Sequence, residues 1–292
     1  MRVIIDTDPG IDDAIAILYA LRHPGLEVAA LTTVAGNIGL STTTRNACRI
    51  ATLAGVSVPV YAGADRPLKR ASRFETAIHG NDGLGGVAFP EPGFAADTES
   101  ATRAMRRLAE TADEPLTLMC LGPLTNLARL LEESPDTARR FERVIAMGGA
   151  VDEPGNVGPK AEFNIAHDPE AASAVFAAGL PLTLIPLDAT RQLRADANYI
   201  AELREAGSPS AKASADLIAA YFAATGGAES RPLHDPCVPL LALEPSLFSC
   251  QTHRLAVDTE SGALLPGPHA LQVAMGLDAP ALRKALLDGL NG

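Results

Sequence analysis

Val3-Ile4-Ile5-Asp6-Thr7-Asp8-Pro9-Gly10-Ile11-Asp12-Asp13-Ala14-Ile15-Ala16-Ile17-Leu18 runs from a strand-length apolar segment through an acidic turn into a second apolar stretch. Pro-Gly breaks the strand, and the helical pattern that follows extends near 12–22. The same alternation continues outward. Val28 to Val34 reads as a strand and 41–54 as a helix; Val58-Pro59-Val60-Tyr61 reads as a short edge strand. Helical patterns near 98–112, 124–133 and 169–178 then interleave with strands at 116–121, 143–147 and 182–187. Strands alternating with helices predict an α/β fold: a single domain over 1–292 with a largely parallel central sheet flanked by helices. The loopy stretches 62–97 and 150–168 belong at the carboxyl ends of strands, where ligands bind in such sheets. A more helical segment at 190–245 is expected to cover the site.

Composition narrows the partners. The 292 residues are 47% hydrophobic and carry a formal net charge of −11, with no long Lys/Arg run, which argues against nucleic acid. The apolar stretch Ala14–Leu21 falls short of the roughly 18–20 residues needed to span a bilayer. Only three apolar residues in a row precede Asp6, too few for a signal-peptide core. The four cysteines form no CxxC pair and read as reduced, and a cytoplasmic protein is expected.

The acidic turn carries the chemistry. Asp12 and Asp13 stand where a helix N-terminus favours negative charge. Capping accounts for one or two of the four aspartates, however, and crowded carboxylates repel unless protonated or neutralised by a cation. Hard oxygen donors without neighbouring Cys or His suit Ca²⁺ or Mg²⁺ rather than zinc. An EF-hand is excluded, because counting from Asp6 puts Ile17 where a bidentate Glu is required. GxxxxGK[ST] and GxSxG are both absent. Glu162 and Asn164 flank Phe163 with strand-like spacing that puts both polar groups on one face, whereas Asn156 in Pro154-Gly155-Asn156 suits a turn.

DTDPGIDDA at 6–14 resembles the inosine–uridine-preferring nucleoside hydrolase family. TTVAGN at 32–37, HGNDGLG at 79–85, LGPLTN at 121–126, MGG at 147–149, EFNIAHDPE at 162–170 and HDP at 234–236 follow in the family's order. The resemblance implies a nucleoside-hydrolase-like fold and Ca²⁺-dependent hydrolysis of the N-glycosidic bond of ribonucleosides. By matching motif positions, Asp8, bidentate Asp13, Asp235 and the Leu121 carbonyl would hold Ca²⁺. These donors make about five oxygens, leaving two or three places in a shell of roughly six to eight for a water and the ribose cis-diol. Asp8 would be general base and Asp12 would bind the 2′-hydroxyl. Asn37, Asn156, Glu162 and Asn164 would orient ribose. His234 would serve the leaving base with His79 on the same side, and Met147 and Phe163 would form an apolar wall. Tyr221 and Arg231 are candidates on the base side. The family also implies a homo-oligomer, dimer or tetramer. Two other readings share the motif: a non-catalytic nucleoside- or ribose-binding protein, and a haloacid-dehalogenase-like phosphatase suggested by Asp6-Thr7-Asp8. Loops 62–97 and 220–233 are expected to be mobile covers.

Overall fold

Alternating strands and helices build the first half of the chain in the computed structural model, which describes residues 1–226 and 230–292. The order opens β1 (Arg2–Thr7), α1 (Ile11–Arg22), β2 (Glu27–Thr33), α2 (Leu40–Ala54), β3 (Val60–Ala62), α3 (Thr76–His79) and α4 (Ala101–Thr111). It continues β4 (Leu116–Cys120), α5 (Thr125–Glu133), α6 (Pro135–Ala138), β5 (Arg143–Met147), α7 (Phe163–His167), α8 (Pro169–Ala177), β6 (Leu182–Ile185) and α9 (Leu187–Thr190). The remainder is β7 (Arg194–Asp196), α10 (Ala197–Ala206), α11 (Pro209–Ala224), β8 (Ser230–Pro232), α12 (Cys237–Leu243), β9 (Phe248–Val257), β10 (Leu264–Pro266), β11 (His269–Leu277) and α13 (Ala279–Asn291).

A nine-stranded sheet in the order β10-β9-β11-β6-β5-β4-β1-β2-β3 forms the centre. Strands β1 to β6 pair in parallel and β11 extends them in parallel beside β6; the β11–β9 and β9–β10 pairings are antiparallel, so within this sheet β9 alone runs against the other strands. Central strands buried on both faces read as unbroken apolar runs. Leu116–Cys120 is buried at every residue and apolar but for Thr117. The strand order reverses direction at β1 and β4, and in open α/β sheets that switch point opens a crevice at the strands' carboxyl ends. The acidic turn leaves β1 there.

Helix α1 is apolar nearly all round because it is enclosed nearly all round. Ala14 to Ala20 are each 0–1% exposed, against α2, α11, α12 and α13. This buried helix anchors the turn that precedes it.

Several local expectations need correction. Glu162-Phe163-Asn164 is not a strand: Glu162 caps α7, its carboxylate accepting from the Asn164 and Ile165 N–H groups. A capping acidic side chain two residues before a polar one imitates strand alternation. The strand begun at Leu182 stops at Ile185, since Pro186 lacks the N–H that would extend the ladder. Helix α1 has its N-cap at Gly10 and, as expected, carries Asp12 and Asp13 in its first turn. Segment 190–245 is largely helical as expected, and it also carries the small β7–β8 ribbon. Within the expected cover 220–233, residues 227–229 lie outside the described residues. No helix among the described residues is long and apolar enough to cross a membrane.

Gly289 of α13 faces the Tyr19 ring of α1 so closely that an added Cβ would fall 2.3 Å from Tyr19 Cε2. Overpacking of this kind costs about 1–3 kcal/mol, more than the ~1 kcal/mol that alanine gains over glycine in a helix. Gly289→Ala is therefore expected to lower the urea midpoint. An unchanged or raised midpoint would show that α1 and α13 are not so tightly apposed.

Candidate active site

The end of β1 delivers three carboxylates into the interior: Asp6, Asp8 and Asp13 are each no more than 1% exposed. Asp13 lies one turn into α1, where its Oδ2 accepts from the Gly10 N–H at 3.0 Å and from Asn37 Nδ2 at 3.0 Å. Its Oδ1 accepts from the Thr7 hydroxyl at 2.6 Å and from the Asp8 N–H at 3.3 Å. Asp8 Oδ2 accepts from the Asn37 N–H at 2.6 Å, while Asp8 Oδ1 is buried with no hydrogen-bond partner among the described residues. From the other side of the molecule, Asp235 enters just before α12. Carboxylate oxygens of Asp12, Asp13 and Asp235 lie within 4.8 Å of one another. That trio differs by one residue from the expected ligand set, with Asp12 in place of Asp8.

Electrostatics makes the cluster costly as it stands. Burial, and then the negative charge of Asp13 and Asp12, holds the Asp8 carboxyl well above the ordinary carboxylate range. Burial and the charges of Asp12, Asp13 and Asp8 do the same to Asp235. Among the described residues no Lys or Arg forms an ion pair with any of the four. Hard oxygen donors, one of them orphaned, fit a divalent cation of the Ca²⁺ or Mg²⁺ type. The backbone also makes room for Asp8. A Cβ on Gly36 would stand 2.0 Å from Asp8 Oδ2, and one on Gly122 would stand 2.2 Å from Asp8 Oδ1.

Beneath the turn, Asp6 accepts at Oδ1 from Thr32 Oγ1 and Asn126 Nδ2, both at 2.7 Å. Its backbone oxygen accepts from the Leu121 N–H at 2.8 Å, which ties the end of β4 to β1. The Leu121 carbonyl in turn accepts from Asn164 Nδ2 at 2.7 Å. Glu162 is more committed than its motif suggested. It accepts from the N–H groups of Gly149 at 2.8 Å, Asn164 at 2.9 Å and Ile165 at 3.2 Å. Burial nevertheless raises its carboxyl to about 7 against the pull of those donors.

A cavity of about 250 Å³ opens over this floor, just below the roughly 300–1,000 Å³ of drug-sized ligand sites. Its walls include Asp12, Asn37, His79, Leu121, Met147, Asn156, Glu162, Phe163, Asn164, His234 and Asp235, so the structure gathers nearly every expected site residue. Asp8 and Asp13 do not line it. Tyr221 and Arg231 do, with the Arg231 guanidinium 5.9 Å from the Tyr221 ring centre. Ile11, Glu75, Ile78, Val157, Leu187, Arg191 and Pro232 also line it and had no signal in the sequence reading.

Asn37 lines the cavity, but its amide N–H groups are spent on Asp13 Oδ2 and the Asp8 carbonyl, so it also holds the acidic turn in shape. The two pocket histidines are held differently. His79 Nδ1 accepts from the Ile11 N–H at 3.1 Å, which leaves the ring proton on Nε2. His234 Nδ1 pairs with the Thr190 hydroxyl at 2.7 Å. Burial lowers the His234 pKa, with Asp12 opposing and Arg191 and Arg194 assisting.

Comparison with known proteins agrees with this geometry. The family model described as inosine-uridine preferring nucleoside hydrolase matches residues 3–284, and the chain belongs to that family. It is thus a nucleoside hydrolase. A pyrimidine-specific ribonucleoside hydrolase, RihA, of a Shewanella species is 41% identical over 264 residues, covering 89% of this chain and 83% of that protein. Among solved structures, a purine-preferring ribonucleoside hydrolase from Gardnerella vaginalis superposes with a TM-score of 0.95 at 30% identity, covering 100% of this chain and 98% of that one. A plant nucleoside hydrolase superposes with a TM-score of 0.94 at 32% identity, covering 100% and 99%.

The raised carboxyl pKa values carry a sign. A carboxyl whose folded pKa lies above its unfolded value stabilises the fold while protonated, and that stability is lost as pH rises through the folded pKa. Asp6 and Glu162 both titrate at about 7, Asp6 through burial opposed by its two donors. With divalent cations chelated, the melting temperature is expected to fall as pH rises from about 4, the unfolded carboxyl value, to about 7 and to level off above it, and added Ca²⁺ is expected to raise it near neutral pH. A flat profile, or one indifferent to Ca²⁺, would contradict the cluster's need for a cation.

Proposed function

We propose that the protein hydrolyses the N-glycosidic bond of ribonucleosides, releasing free base and ribose, with Ca²⁺ as its cation. The supporting observation is the cluster of buried, unpaired carboxylates beside a small-molecule cavity lined by amides and two histidines. Asp8, Asp13, Asp235 and the Leu121 carbonyl would hold the ion, with Asp12 adjacent. Once bound, the cation would supply a Lewis-acidic anchor for the ribose diol and for the attacking water.

The chain's own groups account for the rest. N-glycosidic cleavage builds positive charge on the sugar, as in glycoside hydrolysis, and carboxylates set around the ribose favour that charge. A water attacking the anomeric carbon must lose a proton, and the buried, unpartnered Oδ1 of Asp8 supports that residue as the general base. Asp12 would accept from the 2′-hydroxyl. Asn164, whose Nδ2 is already donated to the Leu121 and Met147 carbonyls, retains Oδ1 for a sugar hydroxyl. Asn37, Asn156 and Glu162 complete the ribose side, while Met147 and Phe163 supply apolar surface.

As negative charge builds on the departing base, His234 and the Nε2 proton of His79 offer donors to it. Tyr221 and Arg231 lie on the same cavity wall set. Base preference divides the relatives, one named pyrimidine-specific and another purine-preferring, so it is a question for the assay.

The test is ribose release from uridine, cytidine, inosine and adenosine, with chelator and with Ca²⁺ restored. Release is expected from at least one nucleoside, to vanish with chelator and to return with Ca²⁺. Asp8→Ala is expected to lower kcat by roughly 10²–10⁴-fold. Folded, Ca²⁺-loaded protein that binds nucleosides without cleaving them would instead favour a binding module.

A further inference from the structure

Helix α9 carries groups that bear on the site without forming its carboxylate floor. This short helix follows β6 and faces the loop 151–161. Asp188, 7% exposed, directs its carboxylate at three successive N–H groups: Val151 at 2.9 Å, Asp152 at 2.7 Å and Glu153 at 3.1 Å. Arg191 directs its guanidinium at the oxygens that come next: Glu153 Oε2 at 3.0 Å, the Pro154 carbonyl at 2.8 Å and the Gly155 carbonyl at 3.1 Å. Helix α9 and its C-cap residue Arg191 thus take the donors of 151–153 with an anion and the acceptors of 153–155 with a cation.

Such charge-assisted bonds are stronger than neutral ones, and the planar guanidinium fork fixes angle as well as distance. A turn needing only a surface anchor would be served by one of them. The residues immediately beyond the grip are Asn156 and Val157, both of which line the cavity. Asn156 Oδ1 is occupied by the Phe163 N–H at 2.9 Å, which leaves its amide N–H groups as the open donors. From the same helix Leu187 lines the cavity, and Thr190 meets His234 Nδ1.

We propose that Asp188, Thr190 and Arg191 form a positioning clamp that sets the Asn156–Val157 turn and the His234 ring against a common support. The proposal rests on the ribonucleoside reading above. None of the three performs a chemical step: Asp188 and Thr190 act through the 151–157 turn and His234, and Arg191, which also lines the cavity, acts by holding 153–155. The division of labour follows from what each holds: loss of Asp188 or Arg191 loosens a binding turn, and loss of Thr190 loosens a group that serves the leaving base.

The experiment combines amide hydrogen exchange across 151–157, without substrate, with steady-state kinetics on whichever ribonucleoside the parent cleaves. Arg191→Ala and Asp188→Asn are expected to exchange faster across 151–157, and to raise KM roughly tenfold while kcat stays within about threefold. Thr190→Val is expected to lower kcat roughly tenfold with little change in KM, and Thr190→Ser to recover it. The partly exposed Arg191 keeps the test open should Asp188→Asn fail to fold. Unchanged exchange and unchanged KM in folded Arg191→Ala would overturn the clamp, and unchanged kcat in Thr190→Val would overturn its His234 arm. A parent that cleaves no ribonucleoside would refute the functional reading instead, and the exchange data would still decide the clamp.

Discussion

Four carboxylates that repel one another, held at the end of a buried parallel strand, are the constraint around which the rest of the site is arranged. Asp8 and Asp13 cannot move apart: the Thr7 hydroxyl, the Gly10 N–H and both nitrogens of Asn37 hold them. Asp235 is brought to them from the far end of the chain. Removing charge from water is expensive unless it is compensated, and among the described residues no cationic side chain compensates it. A fold that places carboxylates this way without a built-in counter-ion favours a cation from outside. The enclosed α1, the close approaches at Gly36 and Gly122, and the Asp6–Asn126–Thr32 network hold the arrangement against its own repulsion.

The support extends outward in layers. Leu121 is fixed through its N–H to Asp6 and receives the Asn164 amide on its carbonyl, so a backbone oxygen just past β4 and a side chain from α7 share one position. Glu162, buried and capping α7, binds Gly149 beyond the end of β5. The clamp on α9 does for the cavity rim what these bonds do for its floor. Hydrolysis that depends on an oriented water and a ribose in one pose loses rate when either drifts, so structural bonds spent around the pocket also serve catalysis.

Much of this was legible in the sequence because charge crowding within an apolar context is unusual. The run from Val3 to Leu18 announced strand, turn and buried helix, and four aspartates exceeded what capping requires. His234 drew notice from its place beside Asp235. Other features were not legible, for physical reasons. Glu162 and Asn164 were read on one strand face, since capping side chains and strand alternation share a spacing of two. The β9–β11 pairing has no clear sequence signal, because half of β9 is exposed and its Ser249–Arg254 stretch lacks a clean apolar alternation. Asp188, Thr190 and Arg191 carry no local signal at all, because their partners lie in distant stretches and only the closed sheet brings them together.

If the acidic cluster is a single cation site whose carboxylates are assembled in advance of the ion, metal-free protein should take up one divalent cation per chain. Isothermal titration of metal-free protein with Ca²⁺, repeated near pH 7 in buffers of different ionisation enthalpy, tests it most directly. One ion per chain is expected to bind with net proton release, because carboxyls held above their ordinary range give up protons as the ion enters, and Asp235→Asn is expected to abolish the isotherm. Absence of binding, or binding that survives Asp235→Asn unchanged, would contradict the account.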